Sequence, residues 1–247
     1  MCRSRFGGEL FSSERTTAVP VLRWSAFDVK DVRGDRPNMC ATDNHRIPDW
    51  ARWCAVAWLA VWVPCYWRFW GFSNFIHLCD LAIMLSCLGL WTSSALLLSS
   101  QAVSSLLVDS LWTLDALWRL LTHHHWIGGT EYLFDAQYPI WIRALSLFHL
   151  LLPVALLFAL RRTGYDRRGW LLQCGIAAVV VPLSRLTGSA NNYNFAFRDP
   201  LWHRALGPTP IHLAAIFAAL VAMYGITHVA LKKFLPEAIT QPERAER

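Results

Sequence analysis

Three side chains able to move protons or carry an acyl group, His77, Cys79 and Asp80, fall within the run His77-Leu78-Cys79-Asp80 at the mouth of an apolar stretch. Ionisable groups inside a membrane span are costly and are usually kept for a task. A cysteine attacks as its thiolate, and a nearby imidazole can generate that thiolate by taking its proton and stabilising the charge. His149, set between Phe148 and Leu150 in a later apolar run, is the imidazole at a suitable depth. A Cys79–His149 dyad would need two helices to pack together. The competing reading makes Cys79 a packing residue, the commoner fate of a lone membrane cysteine, and lets His149 satisfy a carbonyl freed by Pro153.

The elements that must position these groups follow from composition. The chain has 247 residues, 55% of them apolar and only 16% charged, with 14 tryptophans. That is too apolar for a soluble domain of this length, and it predicts an all-α, polytopic integral membrane bundle of about six transmembrane helices. The spans are placed at 51–70, 74–92, 95–118, 139–160, 169–187 and 210–231, the fifth interrupted by Pro182. Their apolar runs are continuous and do not alternate at period two, which excludes a barrel. Residues 1–50 are polar and expected to be disordered, with Met39 a candidate true start; 51–233 form the membrane domain and 234–247 a polar tail.

At about 1.5 Å per residue, Cys79 and Asp80 lie about 8 Å below the outer boundary and His149 about 15 Å below it. Asp109 and Asp115 in the third span, and Arg185 in the fifth, approach the same surface. This agreement in depth suggests one polar site in the outer half of the bilayer. His77 and Asp80 are three apart and share a helix face, so the carboxylate could orient the imidazole, whereas His77 and Cys79 point apart. Trp112 shares a face with Asp109 and with Asp115. Substrate contacts are assigned to Asp109, Trp112, Arg185, Asn191, Asn192 and Tyr193, with Asn191 or Asn192 meeting an oxyanion. The structural alternative, which we weigh more heavily for Arg185 and Asp109, is an ion pair between them; for asparagines near glycine it is capping and turn formation.

Charge sets orientation and partners. Arg46, Arg52, Arg161, Arg162, Arg167, Arg168, Lys232 and Lys233 cluster in short flanks on one side, so both termini are expected in the cytoplasm. The net charge of +6 lies at the ends of apolar segments, with no basic run interleaved with aromatics, which points to anionic lipid head groups and away from nucleic acid. Cys54, Cys65, Cys79, Cys87 and Cys174 fall in spans and imply no disulfide framework. Consecutive His123, His124 and His125 cannot all face one ion from a regular helix, so no metal and no cofactor is assigned.

His77-Leu78-Cys79-Asp80-Leu81-Ala82, Leu147-Phe148-His149, Asn192-Tyr193-Asn194-Phe195 and Leu206-Gly207-Pro208-Thr209-Pro210 occur in this order along the chain. In that order they resemble the motifs of a family of conserved bacterial six-span membrane proteins: His-Leu-Cys-Asp, Ser-His, Asn-Tyr-x-Phe and Leu-Gly-Pro-Trp-Pro. Here Phe148 stands in place of the serine and Thr209 in place of the tryptophan. Eukaryotic relatives of that family include a transmembrane acyltransferase of ether phospholipids that uses a Cys and a His. The resemblance implies a bacterial cytoplasmic membrane, with Cys79 as nucleophile and His149 as its base. The stretch from Asp135 to Arg168 also resembles uncharacterised bacterial membrane-associated proteins, which carry no function over.

The expectation is therefore acyl transfer or acyl-ester hydrolysis on a lipid entering from the outer leaflet, with Asp80 or Asp109 orienting His77 or His149. Two rivals stand beside it. One is a non-catalytic binder of lipid or a small molecule, or a carrier; no internal repeat supports a carrier. The other is a purely structural role for the buried charges.

Overall fold

The computed structural model describes residues 47–238, all within the compact unit Asp43–Arg247. The candidate start at Met39 lies outside the described residues, as do residues 1–46 of the stretch 1–50 expected to be disordered and 239–247 of the tail expected over 234–247; of the remainder, Asp49 and Trp50 open the first helix and Phe234 closes the last. Seven α-helices follow in order: α1 (Asp49–Trp70), α2 (Leu78–Thr92), α3 (Ala95–Thr122), α4 (Ile140–Leu145), α5 (Phe148–Thr163), α6 (Gly169–Leu183) and α7 (Thr209–Phe234). No strand forms among the described residues; one isolated bridge joins Tyr165 to Glu237.

Four segments are long and apolar enough to cross a membrane: Ala95–Thr122, Ile140–Thr163, Gly169–Thr187 and Thr209–Phe234. α2 is apolar but only 15 residues long, and α1, with 22, carries Asp49, Arg52 and Arg68 near its ends. The apolar run at 74–92 becomes helical late because Phe72–Ile76 form a 3-10 turn and His77 is extended, with φ −58° and ψ 136°. The fifth segment stops being α-helical at Leu183, one residue past Pro182, and closes with a 3-10 turn over Ser184–Thr187.

α3 is the central post, packed against α2, α5, α6 and α7. Its first half can be surrounded because it is built from small residues. Ser99, Ser100, Ala102, Ser104 and Ser105 are all buried, and small side chains let neighbouring backbones approach closely. Gly169 at the start of α6 uses that space: a Cβ there would lie 2.7 Å from Ser99 Cβ. A polar seam ties the three helices together, with Ser100 Oγ donating to Gln173 Oε1 at 3.0 Å and Gln173 Nε2 donating to Ser104 Oγ at 2.9 Å. Tyr224 of α7 joins it through Gln173 Nε2 at 3.5 Å.

Contacts sort the connections into two ends. At one end lie the longer segments 71–77, 123–139 and 184–208, joined where Trp70 meets Tyr138, Phe69 meets Trp141 and Asn194 meets Leu78. At the other lie the short turns 93–94 and 164–168, where Arg52 donates to Ser93 Oγ and Ser99 Oγ accepts from the Asp166 N–H. The segment after α7 folds back here, so that Tyr165 N–H donates to Pro236 O at 2.8 Å.

Candidate functional site

The buried centre of the site is a carboxylate–imidazole pair. Asp109 sits midway along α3 and His149 at the start of α5, and His149 Nδ1 lies 2.9 Å from Asp109 Oδ1 with both residues buried. A carboxylate accepts, so with Asp109 ionised Nδ1 is the donor in this contact and Nε2 is the ring nitrogen left outside it. Trp112, three residues along α3 from Asp109, stacks on the imidazole with centroids 4.2 Å apart, and Phe148 covers it at the same distance. Asp109 Oδ2 is buried and has no hydrogen-bond partner among the described residues, and neither has the hydroxyl of Ser105 one turn earlier.

The local sequence explains how His149 reaches this position. Pro153 has no N–H to bond the carbonyl four residues before it, and the helix is interrupted upstream at Ser146 and Leu147. There the backbone tightens to three-residue spacing, with Leu147 N–H on Ala144 O and His149 N–H on Ser146 O. Such tightened turns inside a helix recur at functional sites. The freed Ser146 side chain lies 2.7 Å from the Tyr66 hydroxyl of α1.

The start of α2 forms the second part. Asp80, in its first turn and buried, accepts from Asn74 Nδ2 at 2.6 Å, and the Cys79 thiol reaches Asp80 Oδ1 at 3.9 Å. A carboxylate in a helix's first turn is favoured by the backbone dipole. α2 packs against both α3, which carries Asp109, and α5, which carries His149, so the two parts adjoin. Tyr132, in the segment after α3, joins them: burial, with Tyr66 and then Cys79 and Asp80 nearby, pushes its phenol well above the usual range, against a lowering contact with Ser146.

Among the described residues no hydrogen bond joins Cys79 to His149, and none joins His77 to Asp80. The same-face argument for His77 and Asp80 assumed helical geometry, but His77 precedes the helix and packs edge-on against Tyr193 at 4.7 Å. Nor does Arg185 pair with Asp109. Its guanidinium donates to Ala196 O at 2.9 Å and Thr209 Oγ1 at 3.2 Å, and lies 4.0 Å above the Phe197 ring.

The asparagines are turned into their own loop. Asn192 Oδ1 accepts the N–H groups of Phe197 and Arg198, both at 2.9 Å, and its Nδ2 donates to Arg198 O. Asn191 Nδ2 donates to the Tyr193 hydroxyl at 2.8 Å, which lies 3.3 Å from Ser73 Oγ. Asn194, in a left-handed conformation with φ 50°, accepts from Leu78 N–H at 2.9 Å and donates to Ile76 O and Ser184 Oγ, both at 2.8 Å. It thereby pins the start of α2 to the 184–208 segment.

Two further residues organise the rim without touching the centre. Asp115 gathers the N–H groups of Trp126 and Ile127, the Thr130 hydroxyl and His125 Nδ1, which accounts for one of the three consecutive histidines. His212 of α7 accepts from Leu206 N–H at Nδ1 and lies 2.9 Å from Phe195 O at Nε2. Asn74, Tyr66, Ser146, Tyr132 and His212 were not singled out in the sequence. For Tyr66 and Ser146, a polar atom within an apolar run was the available signal. Among the described residues no three His, Cys, Asp or Glu side chains converge as a metal-ligand set.

The class defined by these observations is an all-helical protein with four apolar helices of membrane-crossing length and a buried His–Asp pair between two of them. Comparison with known proteins takes this no further, since no family model, curated protein or solved structure is significantly similar to the chain.

Proposed function

We propose that the chain is an integral membrane protein of six crossing segments, with α4 and α5 counted together, and that its buried cluster transfers or hydrolyses an acyl ester of a membrane lipid. The membrane reading is supported by outward faces rich in exposed apolar residues, such as Leu151, Val154, Val179 and Val229, far beyond what a soluble monomer tolerates. Exposed tryptophans gather at both ends, Trp50, Trp53 and Trp91 at one and Trp67, Trp126 and Trp202 at the other, as interface anchors do. Clustered cations at the short-turn end support a bacterial cytoplasmic membrane orientation with that end, and both termini, in the cytoplasm.

The observation that carries the catalytic reading is the His149–Asp109 contact at 2.9 Å inside an apolar bundle. A base oriented by a carboxylate is the recurring arrangement for activating a nucleophile. In the proposed reaction the Cys79 thiol proton passes to His149 Nε2 as sulfur attacks the ester carbonyl. The C–O bond breaks, the leaving lipid alkoxide takes the proton from His149, and a thioester remains on Cys79. An acceptor hydroxyl or water, deprotonated by His149, then attacks the thioester; the C–S bond breaks, the acyl group leaves on the acceptor oxygen, and the Cys79 sulfur takes the proton back from His149. The Asn191 and Asn192 amides are engaged by the loop; the Tyr66 and Ser146 hydroxyls bond each other at 2.7 Å, and the acceptor of that pair keeps a hydroxyl proton that could meet the oxyanion.

A second reading, a non-catalytic lipid or small-molecule binder, is favoured by one observation: the neighbour of the Cys79 thiol is the Asp80 carboxylate, and a thiolate needs a positive neighbour. Labelling membranes with an apolar thiol-reactive acyl probe, alongside assays on lipid esters, separates the two. Under the catalytic reading, Cys79→Ala inserts normally but is inactive, His149→Ala abolishes selective labelling of Cys79, and Asp109→Asn slows turnover about 100-fold or more. Full activity of Cys79→Ala removes Cys79 as the nucleophile, and equal labelling of several cysteines, insensitive to His149→Ala and without ester turnover, leaves the binder.

A further inference from the structure

At the short-turn end, far along α3 from the rim, the bundle leaves a groove of about 390 Å³ between α5 and α7. That volume lies within the roughly 300–1,000 Å³ of small-molecule sites. Leu106 and Leu107 of α3 floor it, and Leu157, Ile226 and Phe234 line its walls. From Ile226 to Phe234 is about 12 Å along α7. Thr227 also faces it, but its hydroxyl is engaged by Met223 O, so the interior asks for no polar partner. Arg161 is the single charged residue among those lining the groove, two residues before the end of α5.

We infer that this groove holds an acyl chain of an anionic glycerophospholipid whose phosphate is met by Arg161. The charge arrangement at this end carries the inference. Its three described acidic side chains are already engaged: Asp49 with Arg52, Asp166 with Arg168, and Glu237 with Arg167. Arg161 has no ion-pair or hydrogen-bond partner for its guanidinium among the described residues. Lys233, in the last turn of α7 beside the groove-lining Phe234, adds positive charge at the same end. A guanidinium fork matches a phosphate bidentately, and its apolar stem can lie along the groove while the head stays at the interface. A zwitterionic lipid would bring its own cation to a site that already has an excess, so an anionic head group is the better fit.

This inference rests on the membrane reading but not on acyl transfer. The test uses the full chain purified in neutral detergent and supplied with equal amounts of phosphatidylglycerol and phosphatidylcholine bearing identical acyl chains, with retained lipid read by native mass spectrometry. Phosphatidylglycerol should be retained about fivefold over phosphatidylcholine, the effect of one basic side chain at an anionic lipid. Arg161→Gln should bring the two to parity, Arg161→Lys should keep most of the preference, and Ala230→Trp, which fills the groove, should lower retention of both. Absence of a preference in the wild type, or its survival in Arg161→Gln, overturns the assignment and leaves the membrane reading standing. Recovery of the chain from the aqueous fraction without detergent overturns both.

Discussion

His149 and Asp109 are bound to each other more tightly than either is bound to anything else in the cluster, and this makes their roles separable. Removing one partner of a buried pair leaves an uncompensated polar group and costs about 3–5 kcal/mol, whereas replacing both by apolar residues of similar volume is often neutral. Asp109→Leu alone should therefore lower the unfolding temperature markedly in detergent. Asp109→Leu combined with His149→Phe should recover most of it. If the pair serves only the fold, the double variant keeps whatever activity or ligand binding the wild type has; if the pair is the base, the double variant is stable and inert. Depth was readable from the sequence, because it needs only a count along each helix, and it nominated both residues. Partner choice was not readable. It depends on how each helix is rotated, and the broken turn at Ser146 and Leu147 resets that rotation just before His149. The loop residues Arg185, Asn191 and Asn192 were legible as polar groups at the right level, but their bonds to backbone atoms of their own segment follow from left-handed turns that composition does not reveal.

At the level of elements, the runs of apolar residues mark the helices to within a few residues, and the discrepancies have local causes. The start of α2 is delayed by the extended His77, and α6 is shortened after Pro182. The fold-back after α7 was invisible as an element, since it consists of a few backbone contacts around Gly164 and Tyr165. Gly164 has φ +78°, and a Cβ there would lie 2.6 Å from Ala238 Cα. Gly164→Ala should therefore displace the segment after Phe234, break the Tyr165–Pro236 hydrogen bond, and expose the Leu235–Ala238 stretch to proteolysis, while the core of the bundle stays protected. Limited proteolysis with mass mapping checks this; an unchanged cleavage pattern would mean that the fold-back does not depend on a left-handed residue at 164.

For the molecule as a whole, the two ends differ in how their arginines are used. At the loop-rich end Arg143, Arg185 and Arg198 donate to backbone carbonyls, whereas the short-turn end carries its cations in the flanks of helices. A cysteine-free chain carrying Thr92→Cys or Ser189→Cys should place its single thiol on opposite faces of the membrane. A membrane-impermeant maleimide added to intact cells should label Ser189→Cys and reach Thr92→Cys only after permeabilisation. The reverse pattern would invert the orientation, and labelling of both from outside would reject the six-segment path. Helical class was legible because continuous apolar runs leave few other solutions; the number of crossings was harder, because α1 and α2 fall short of the other four in apolarity or length.

The disparity between α3 and its neighbour α2 has a physical consequence of its own. With 28 and 15 residues, they extend about 42 Å and about 22 Å, on either side of the roughly 30 Å hydrocarbon thickness. A helix that is too long answers a change in bilayer thickness by tilting, and one that is too short answers by thinning the lipid around it. Asp109 rides on the first and Asp80 on the second. On the six-segment membrane path proposed above, acyl-chain length in the surrounding bilayer would thus be a mechanical coordinate of the cluster, able to slide one carboxylate past the other without any ligand being bound.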